Sequence, residues 1–261
     1  MQQIRDFLKY FIGQGDRQEF AIFTLAHLMP ILVAAGIIWL IYRFREPLRN
    51  WKGESGIRHA IALIMIISEM AYYWRLVAIP SLGPNPVENL PIAVCGWVVI
   101  LGSLMMVGKS QKLFDIIYFW IFSGTVFALL TPTVLTYTGP TRFRYYQFWT
   151  EHVIGYIGVF YMIFVHGMRP VFKSLIRSYI ALLVMVAVAY FTNMLIPGAN
   201  YLYVARPESA PSVLDILPPN FLLRFLVMAS VITAMYFLAY LPWYLKDKKK
   251  KKQEVPEETT V

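Results

Sequence analysis

The sequence predicts an all-α polytopic membrane protein with about seven transmembrane helices. Of its 261 residues, 58% are hydrophobic and only 15% are charged, and a soluble chain with that ratio would expose too much apolar surface. The hydrophobic residues form long stretches without the alternation that is typical of a strand. We expect one membrane domain over residues 1–245, followed by a lysine-rich, disordered cytoplasmic tail over residues 246–261.

Seven apolar stretches approach the roughly 20 residues that a helix needs to cross a bilayer. They are approximately residues 20–42, 57–79, 90–108, 113–131, 148–168, 175–196 and 221–245. The third and fourth are short and are joined by a tight turn, which predicts a helical hairpin. Ahead of the first, the segment FLKYFI is too short for a signal peptide and is interrupted by Lys9. We expect that segment to lie at the membrane surface.

The basic residues predict the orientation of the spans, because short cytoplasmic loops carry an excess of Lys and Arg. Sixteen of these residues fall on the side of the C-terminus and six on the opposite side. We therefore expect a cytoplasmic C-terminus, an outer N-terminus and a multi-pass location in a bacterial plasma membrane. The net charge of +9 has the same origin, since six lysines lie in the tail. It predicts no nucleic-acid partner.

Seven polar residues fall in the outer half of the predicted membrane or just beneath it. They are His27, Glu69, Arg75, Cys95, Glu151, His152 and Asn193. At 1.5 Å per residue, the two histidines and the cysteine lie about 6–11 Å below the outer boundary. Ionisable groups at that depth are costly when they face lipid, so we expect them to face a cavity or one another. A structural explanation stays open for each, with Cys95 as a small apolar residue and Glu69 and Arg75 as links between helices.

Cys95, the only cysteine of the chain, and His152 suggest nucleophilic catalysis. A thiol attacks as the thiolate, and an adjacent imidazole is its usual activator. Asn193 or Glu69 on the far side of the imidazole would fix its tautomer. The electrophile near that depth is the ester carbonyl of a phospholipid, which would give a thioester on Cys95.

Other chemistries fit the sequence less well. A single cysteine makes no intrachain disulfide. The chain has no HExxH, no glycine-rich phosphate loop and no GxSxG. We expect no metal and no other cofactor, and the sequence leaves the oligomeric state open.

Several segments resemble the YwaF-like family of bacterial integral membrane proteins, over about residues 20–240. They are FxxFTLAHL (20–28), LPIAVC (90–95), LFDIIYFWIFSGTVFALLTP (113–132), FRYYQFWTEH (143–152), VHGMRP (165–170), NxxxxGxNYLY (193–203) and SVLDIL (212–217). Animal relatives, grouped with transmembrane protein one-six-four, move fatty acyl chains between glycerophospholipids. They use a Cys and a His at nearly the spacing of Cys95 and His152. The resemblance implies that Cys95 accepts the acyl group and that His152 is its base.

We therefore predict a membrane acyltransferase or lipase-like hydrolase whose partners are phospholipids or lysophospholipids. In this prediction Asn193 or Glu69 orients His152 or binds the headgroup, and Arg75 binds a phosphate. His27 lines the cavity, and Glu151 belongs to the same supporting group. The alternatives are a transporter or lipid-binding protein that uses Glu69, Arg75 and His27, and a structural subunit of a larger complex.

Overall fold

The computed structural model describes residues 1–13, 21–79, 81–132, 139–204 and 216–254, and this part of the chain is helical without a strand. Its α-helices are α1 (Gln2–Ile12), α2 (Leu25–Arg43), α3 (Arg45–Asn50), α4 (Glu54–Ala78), α5 (Val94–Gly108), α6 (Gln111–Trp120), α7 (Val126–Leu130), α8 (Phe143–Phe164), α9 (Phe172–Leu195) and α10 (Phe221–Glu254). A π-helical turn, Ile121–Thr125, joins α6 to α7, and a 3-10 turn, Tyr201–Tyr203, follows α9. The start of the first predicted span, most of SVLDIL and residues 255–261 of the tail lie outside the described residues.

Five helical segments are long and apolar enough to cross a membrane. They are Leu25–Arg43, Glu54–Ala78, Gln111–Leu130, Phe172–Leu195 and Phe221–Lys251. These match the first, second, fourth, sixth and seventh predicted spans, which confirms a multi-pass helical membrane protein. The third predicted span forms the 15-residue α5, and the fifth forms α8, which carries more polar residues. The count of seven and the orientation of the termini stay predictions.

Both terminal segments of the described chain are helical. The N-terminal segment forms α1, a separate helix that has no buried residue. At the other end, α10 continues to Glu254, beyond the predicted start of the tail at residue 246. Lysine is a good helix former, and a helix that is already nucleated extends at little cost.

Glycines let α4, α5 and α8 approach closely. A Cβ atom on Gly102 would lie 3.1 Å from Met65 Sδ, and one on Gly158 would lie 2.3 Å from Met65 Cε. The Met65 side chain of α4 is fully buried between these two helices. Small residues at such crossings are the usual means of packing membrane helices.

Charged side chains at one end of the bundle bind the ends of two helices. Arg58 donates to the carbonyls of Met106 and Val107 at the end of α5 and to Glu54 Oε1 at 3.1 Å. Glu54 also accepts from His166 Nε2 at 2.8 Å and from the Tyr161 hydroxyl at 3.2 Å. Cations stabilise helix C-termini, and the buried carboxylate compensates the buried guanidinium.

Arg58→Gln is expected to destabilise the fold by about 3 kcal/mol or more, because it leaves Glu54 buried without its main counter-charge. The melting temperature of the purified protein in detergent measures the effect. Lys109→Gln is the matched control, since Lys109 Nζ lies 3.9 Å from Glu54 Oε2 but its side chain is 46% exposed. The control should change stability by less than about 1 kcal/mol. Equal melting temperatures for the two variants would contradict the expectation.

Candidate functional site

Cys95 lies in the first turn of α5, beside the π-helical turn. Its thiol is next to the Thr125 hydroxyl and interacts electrostatically with Glu69 and Glu151. Thr125 Oγ1 is buried, and it has no partner at hydrogen-bond geometry in the part of the chain that the structure describes. π-helical turns are often found at functional sites. Polar groups from α4, α8 and the π-helical turn are therefore within electrostatic range of the cysteine.

The packing of α5 against α8 brings Cys95 and His152 to the same level. A Cβ atom on Gly155 would lie 2.9 Å from Val98 Cγ1, and further along the same two helices one on Gly158 would lie 3.5 Å from Met106 Sδ. The two helices therefore run parallel. Cys95 and His152 each lie three residues before the Val98–Gly155 contact, so the two residues are at about the same level along their helices. The two side chains share no hydrogen bond in the described structure.

The ring of His152 is buried and held in one orientation. Its Nδ1 lies 2.7 Å from the Phe148 carbonyl oxygen, and the ring stacks on that of Phe148 with 4.1 Å between the centroids. A carbonyl only accepts, so this contact assigns the hydrogen of a neutral ring to Nδ1. Nε2 then has the free lone pair that a general base requires.

Four polar side chains lie near the cysteine and the histidine and form one cluster: Glu69, Arg144, Gln147 and Glu151. Gln147 Nε2 donates to Glu151 Oε2 at 2.8 Å and to the Ser68 carbonyl at 2.7 Å. Arg144 Nη1 lies 4.0 Å from Glu151 Oε2, which is too long for a hydrogen bond. Arg144 Nη1 and Gln147 Oε1 are buried, and neither has a hydrogen-bond partner within the described ranges. Buried polar atoms are rarely left unpaired, so the cluster has unused capacity to bind a polar group.

Glu69 of α4 packs against α5 and interacts with the rest of this cluster. Its carboxylate packs against the backbone of Gly96, where an added Cβ atom would lie 2.5 Å from Oε1. The side chain interacts electrostatically with Glu151 and Arg144. Gly96, which has no side chain, thus leaves room for the Glu69 carboxylate. Within the described chain, no three His, Cys, Asp or Glu side chains are arranged to hold a metal ion.

Three of the predicted site residues have other contacts in the structure. Arg75 Nε donates to the Ile12 carbonyl at 2.6 Å, at the end of α1. Both ring nitrogens of His27 bond to backbone groups, Nδ1 to the Phe23 N–H at 2.9 Å and Nε2 to the Leu129 carbonyl at 2.8 Å.

The third of these residues is Asn193, at the end of α9. Its amide donates to the Tyr201 carbonyl at 3.0 Å and accepts from the Tyr201 N–H at 2.7 Å. Both functional atoms of the side chain are therefore engaged in holding the 3-10 turn. The predicted role of Asn193 in orienting His152 stays a prediction.

The structure adds four residues that the sequence analysis did not assign to the site. They are Thr125, Arg144, Gln147 and Tyr156. The hydroxyl of Tyr156 donates to the Ile121 carbonyl at 2.5 Å, and this side chain interacts with Cys95. A signal existed for two of the four, since Arg144, Gln147 and Glu151 follow one another at spacings of three and four and so share a helix face.

Gly96→Ala tests the contact between α5 and Glu69. In a helix the change from Gly to Ala normally stabilises by about 1 kcal/mol, but here the new methyl group would displace a buried carboxylate and should destabilise by about 1–3 kcal/mol. Gly36→Ala in α2 is the matched control, since nothing lies within 4 Å of its added Cβ. We expect melting-temperature shifts of opposite sign for the two variants. A rise for both would show that Glu69 is not packed on Gly96.

Comparisons with known proteins agree with this architecture. A family model described as "TMEM164 family" matches residues 22–244. A protein of Treponema pallidum (strain Nichols), described as an uncharacterized protein, is 27% identical over 156 residues, which are 60% of this chain and 63% of that protein. The chain thus spans less than two thirds of that relative's length. No solved structure matches the chain. Because the family model matches most of the chain, including every helix of the candidate site, the chain belongs to the TMEM164 family.

Proposed function

We propose that this protein is a membrane-embedded acyltransferase that moves fatty acyl chains between glycerolipids through a thioester on Cys95. The observation that carries the proposal is the packing of α5 on α8 at Val98 and Gly155, because Cys95 and His152 each lie three residues before that contact and so at about the same level. The free Nε2 of His152 supports it, and so does membership of the TMEM164 family. We place the activity in the outer leaflet of a bacterial plasma membrane, in line with the predicted orientation.

In the first half-reaction His152 Nε2 takes the proton of the Cys95 thiol. The thiolate attacks the ester carbonyl of a phospholipid, and the tetrahedral intermediate collapses with cleavage of the bond between the carbonyl carbon and the glycerol oxygen. His152 returns the proton to that oxygen, and a lysophospholipid leaves. This step requires the thiol and the imidazole to come within hydrogen-bond distance, and catalytic hydrogen bonds often form only when substrate binds.

In the second half-reaction His152 takes the proton of an acceptor hydroxyl. The acceptor oxygen attacks the thioester carbonyl, the carbon–sulfur bond breaks, and the thiolate recovers its proton from His152. A lysolipid acceptor gives a new glycerolipid, and water gives a free fatty acid. The same residues therefore support both transfer and lipase-like hydrolysis.

The N-terminus of α5 can stabilise the negative oxygen of both intermediates. Its first hydrogen bond runs from Trp97 N to Ala93 O at 3.2 Å. The N–H groups of Cys95 and Gly96 precede it and point out of the helix end. Backbone N–H groups in this position favour a developing anion and act as an oxyanion hole.

The buried arginine and amide next to the cysteine are suited to the polar part of the lipid. Arg144 Nη1 can donate to a phosphate oxygen and Gln147 Oε1 can accept from a hydroxyl or an amine, and neither atom has a hydrogen-bond partner in the described structure. We assign them to the headgroup in place of Arg75, whose Nε binds the Ile12 carbonyl. Glu69 and Glu151 would orient these groups.

A transporter is the second candidate, because Glu69, Glu151 and Arg144 form a cluster of ionisable side chains between helices. Such residues inside a membrane often line a proton or solute path. The two functions predict opposite rankings of variants. A transporter should lose activity in Glu69→Gln and keep it in Cys95→Ala, and an acyltransferase should behave in the reverse way.

Intact-protein mass spectrometry after incubation with phospholipid tests the thioester. We expect the wild type to gain the mass of a fatty acyl group and to lose it in neutral hydroxylamine. Cys95 is the only cysteine, so the position of a hydroxylamine-labile adduct is not in doubt. His152→Ala should form the adduct about 10²–10⁴-fold more slowly, because it lacks the base.

The matched control is His59→Ala, since His59 is exposed on α4 and should leave acylation unchanged. A wild type without an adduct would overturn the thioester mechanism. Equal acylation rates in wild type and His152→Ala would remove His152 from it.

A further inference from the structure

An apolar groove lies on the outside of the bundle between α2, α3, α4 and α8. Its volume is about 470 Å³, and its lining includes Leu40, Phe44, Ile57, Ile64, Ile154 and Ile157. All eleven lining residues are aliphatic or aromatic, and the hydroxyl of the one tyrosine turns away to donate to Glu54. A groove without a polar atom can hold only a hydrocarbon group.

The groove is separate from the candidate site. Ile154 and Ile157 lie on the side of α8 roughly opposite to His152, at 100° per residue. Gly155, which packs on α5, lies between the two faces. Leu40, Ile64 and Phe44 are 47%, 44% and 49% exposed. The groove therefore opens sideways, where lipid chains surround a membrane protein.

Unpaired positive charge lies at one end of the groove. The Arg43 guanidinium is 5.7 Å from the ring centroid of Phe44, a lining residue. Arg43 has no ion pair or hydrogen bond from its side chain to any described residue. The nearby acid Glu46 is shared by Arg45 at 3.9 Å and Arg49 at 3.3 Å. A net positive charge remains where the groove reaches the end of α2.

We propose that the groove binds one acyl chain of an anionic glycerophospholipid, with the lipid phosphate beside Arg43. The lining selects the chain, and the guanidinium can bind the phosphate through two parallel hydrogen bonds. It favours an anionic lipid because the headgroup of a zwitterionic lipid carries a cation that neutralises the phosphate. Each basic residue near a membrane surface favours anionic lipid by about fivefold in affinity. This lipid is distinct from the substrate of the proposed acyl transfer, and the inference does not depend on that function.

Native mass spectrometry of the full-length protein in mild detergent tests the proposal. The probes are phosphatidylglycerol and phosphatidylcholine with identical 16- and 18-carbon chains. We expect the groove to hold one phosphatidylglycerol per chain, apart from any lipid at the Cys95 site, and to bind it about fivefold more tightly than phosphatidylcholine. Arg43→Gln should abolish this preference and retain binding of the chain. Lys173→Gln, which removes an exposed charge from α9, should keep the preference.

Ile64→Trp fills the groove and should lower binding of both lipids about tenfold or more. Its control is Ile67→Trp, since Ile67 is equally exposed at 45% on the same helix but lies outside the lining. Cys95→Ala should bind phosphatidylglycerol like the wild type, so the failure of one proposal leaves the other intact. Three results would each overturn the lipid assignment. The wild type could bind the two probes equally, the two tryptophan variants could lose binding equally, or Ile64→Trp could disrupt a protein dimer.

Discussion

The close approach of α4, α5 and α8 is the constraint on which the rest of the structure depends. It is set by glycines: Gly96 and Gly102 on α5 and Gly155 and Gly158 on α8 each leave no room for a larger side chain. In a bilayer there is no hydrophobic force between apolar helices, so this contact has to come from packing and from polar links. The same approach brings Glu69 to the residue that follows Cys95 and leaves Cys95 and His152 at about the same level.

The two polar clusters of the bundle differ in how fully they are satisfied. In one, Glu54 Oε1 is bonded by Arg58, Tyr161 and His166, and Arg58 also binds two helix-end carbonyls. In the other, Arg144 and Gln147 each keep a buried atom without a partner in the described residues. A satisfied cluster rigidifies a fold, whereas an unsatisfied one costs stability. The second cluster is therefore the one in which a ligand would recover the missing hydrogen bonds.

The sequence predicted the helical membrane class, because that follows from helix lengths and composition. The pairing of Cys95 with His152 stays a prediction, since it comes from counting along two helices. The sequence could not predict the partners of Arg75 or Asn193. Arg75 binds a carbonyl at the end of α1, and Asn193 binds the backbone of Tyr201. These partners depend on how the chain turns after each helix, and no periodicity encodes that.

The residues that were missed have a similar explanation. The sequence IFSGT has no feature that distinguishes a π-helical turn from an α-helix, yet this turn brings Thr125 beside the thiol. Arg144 and Gln147 lie in a segment rich in aromatic and basic residues, a composition that also suits the membrane surface. Their spacing on α8 was the more informative signal.

α5 and α8 are the two predicted spans that fall short of an apolar membrane helix, and they carry the proposed nucleophile and base. α8 is less apolar because one of its faces carries the polar residues of the candidate site. Its other face, with Ile154 and Ile157, lines the lipid-facing groove.

α5 is short because it begins at Val94, after a segment that contains Pro91. A helix that began four residues earlier would enclose Cys95 in its hydrogen-bonded interior and leave the free N–H groups farther from the thiol. The late start keeps the cysteine in the first turn, where those N–H groups can stabilise an oxyanion. Both helices thus depart from a simple apolar span at the residues that carry the proposed site.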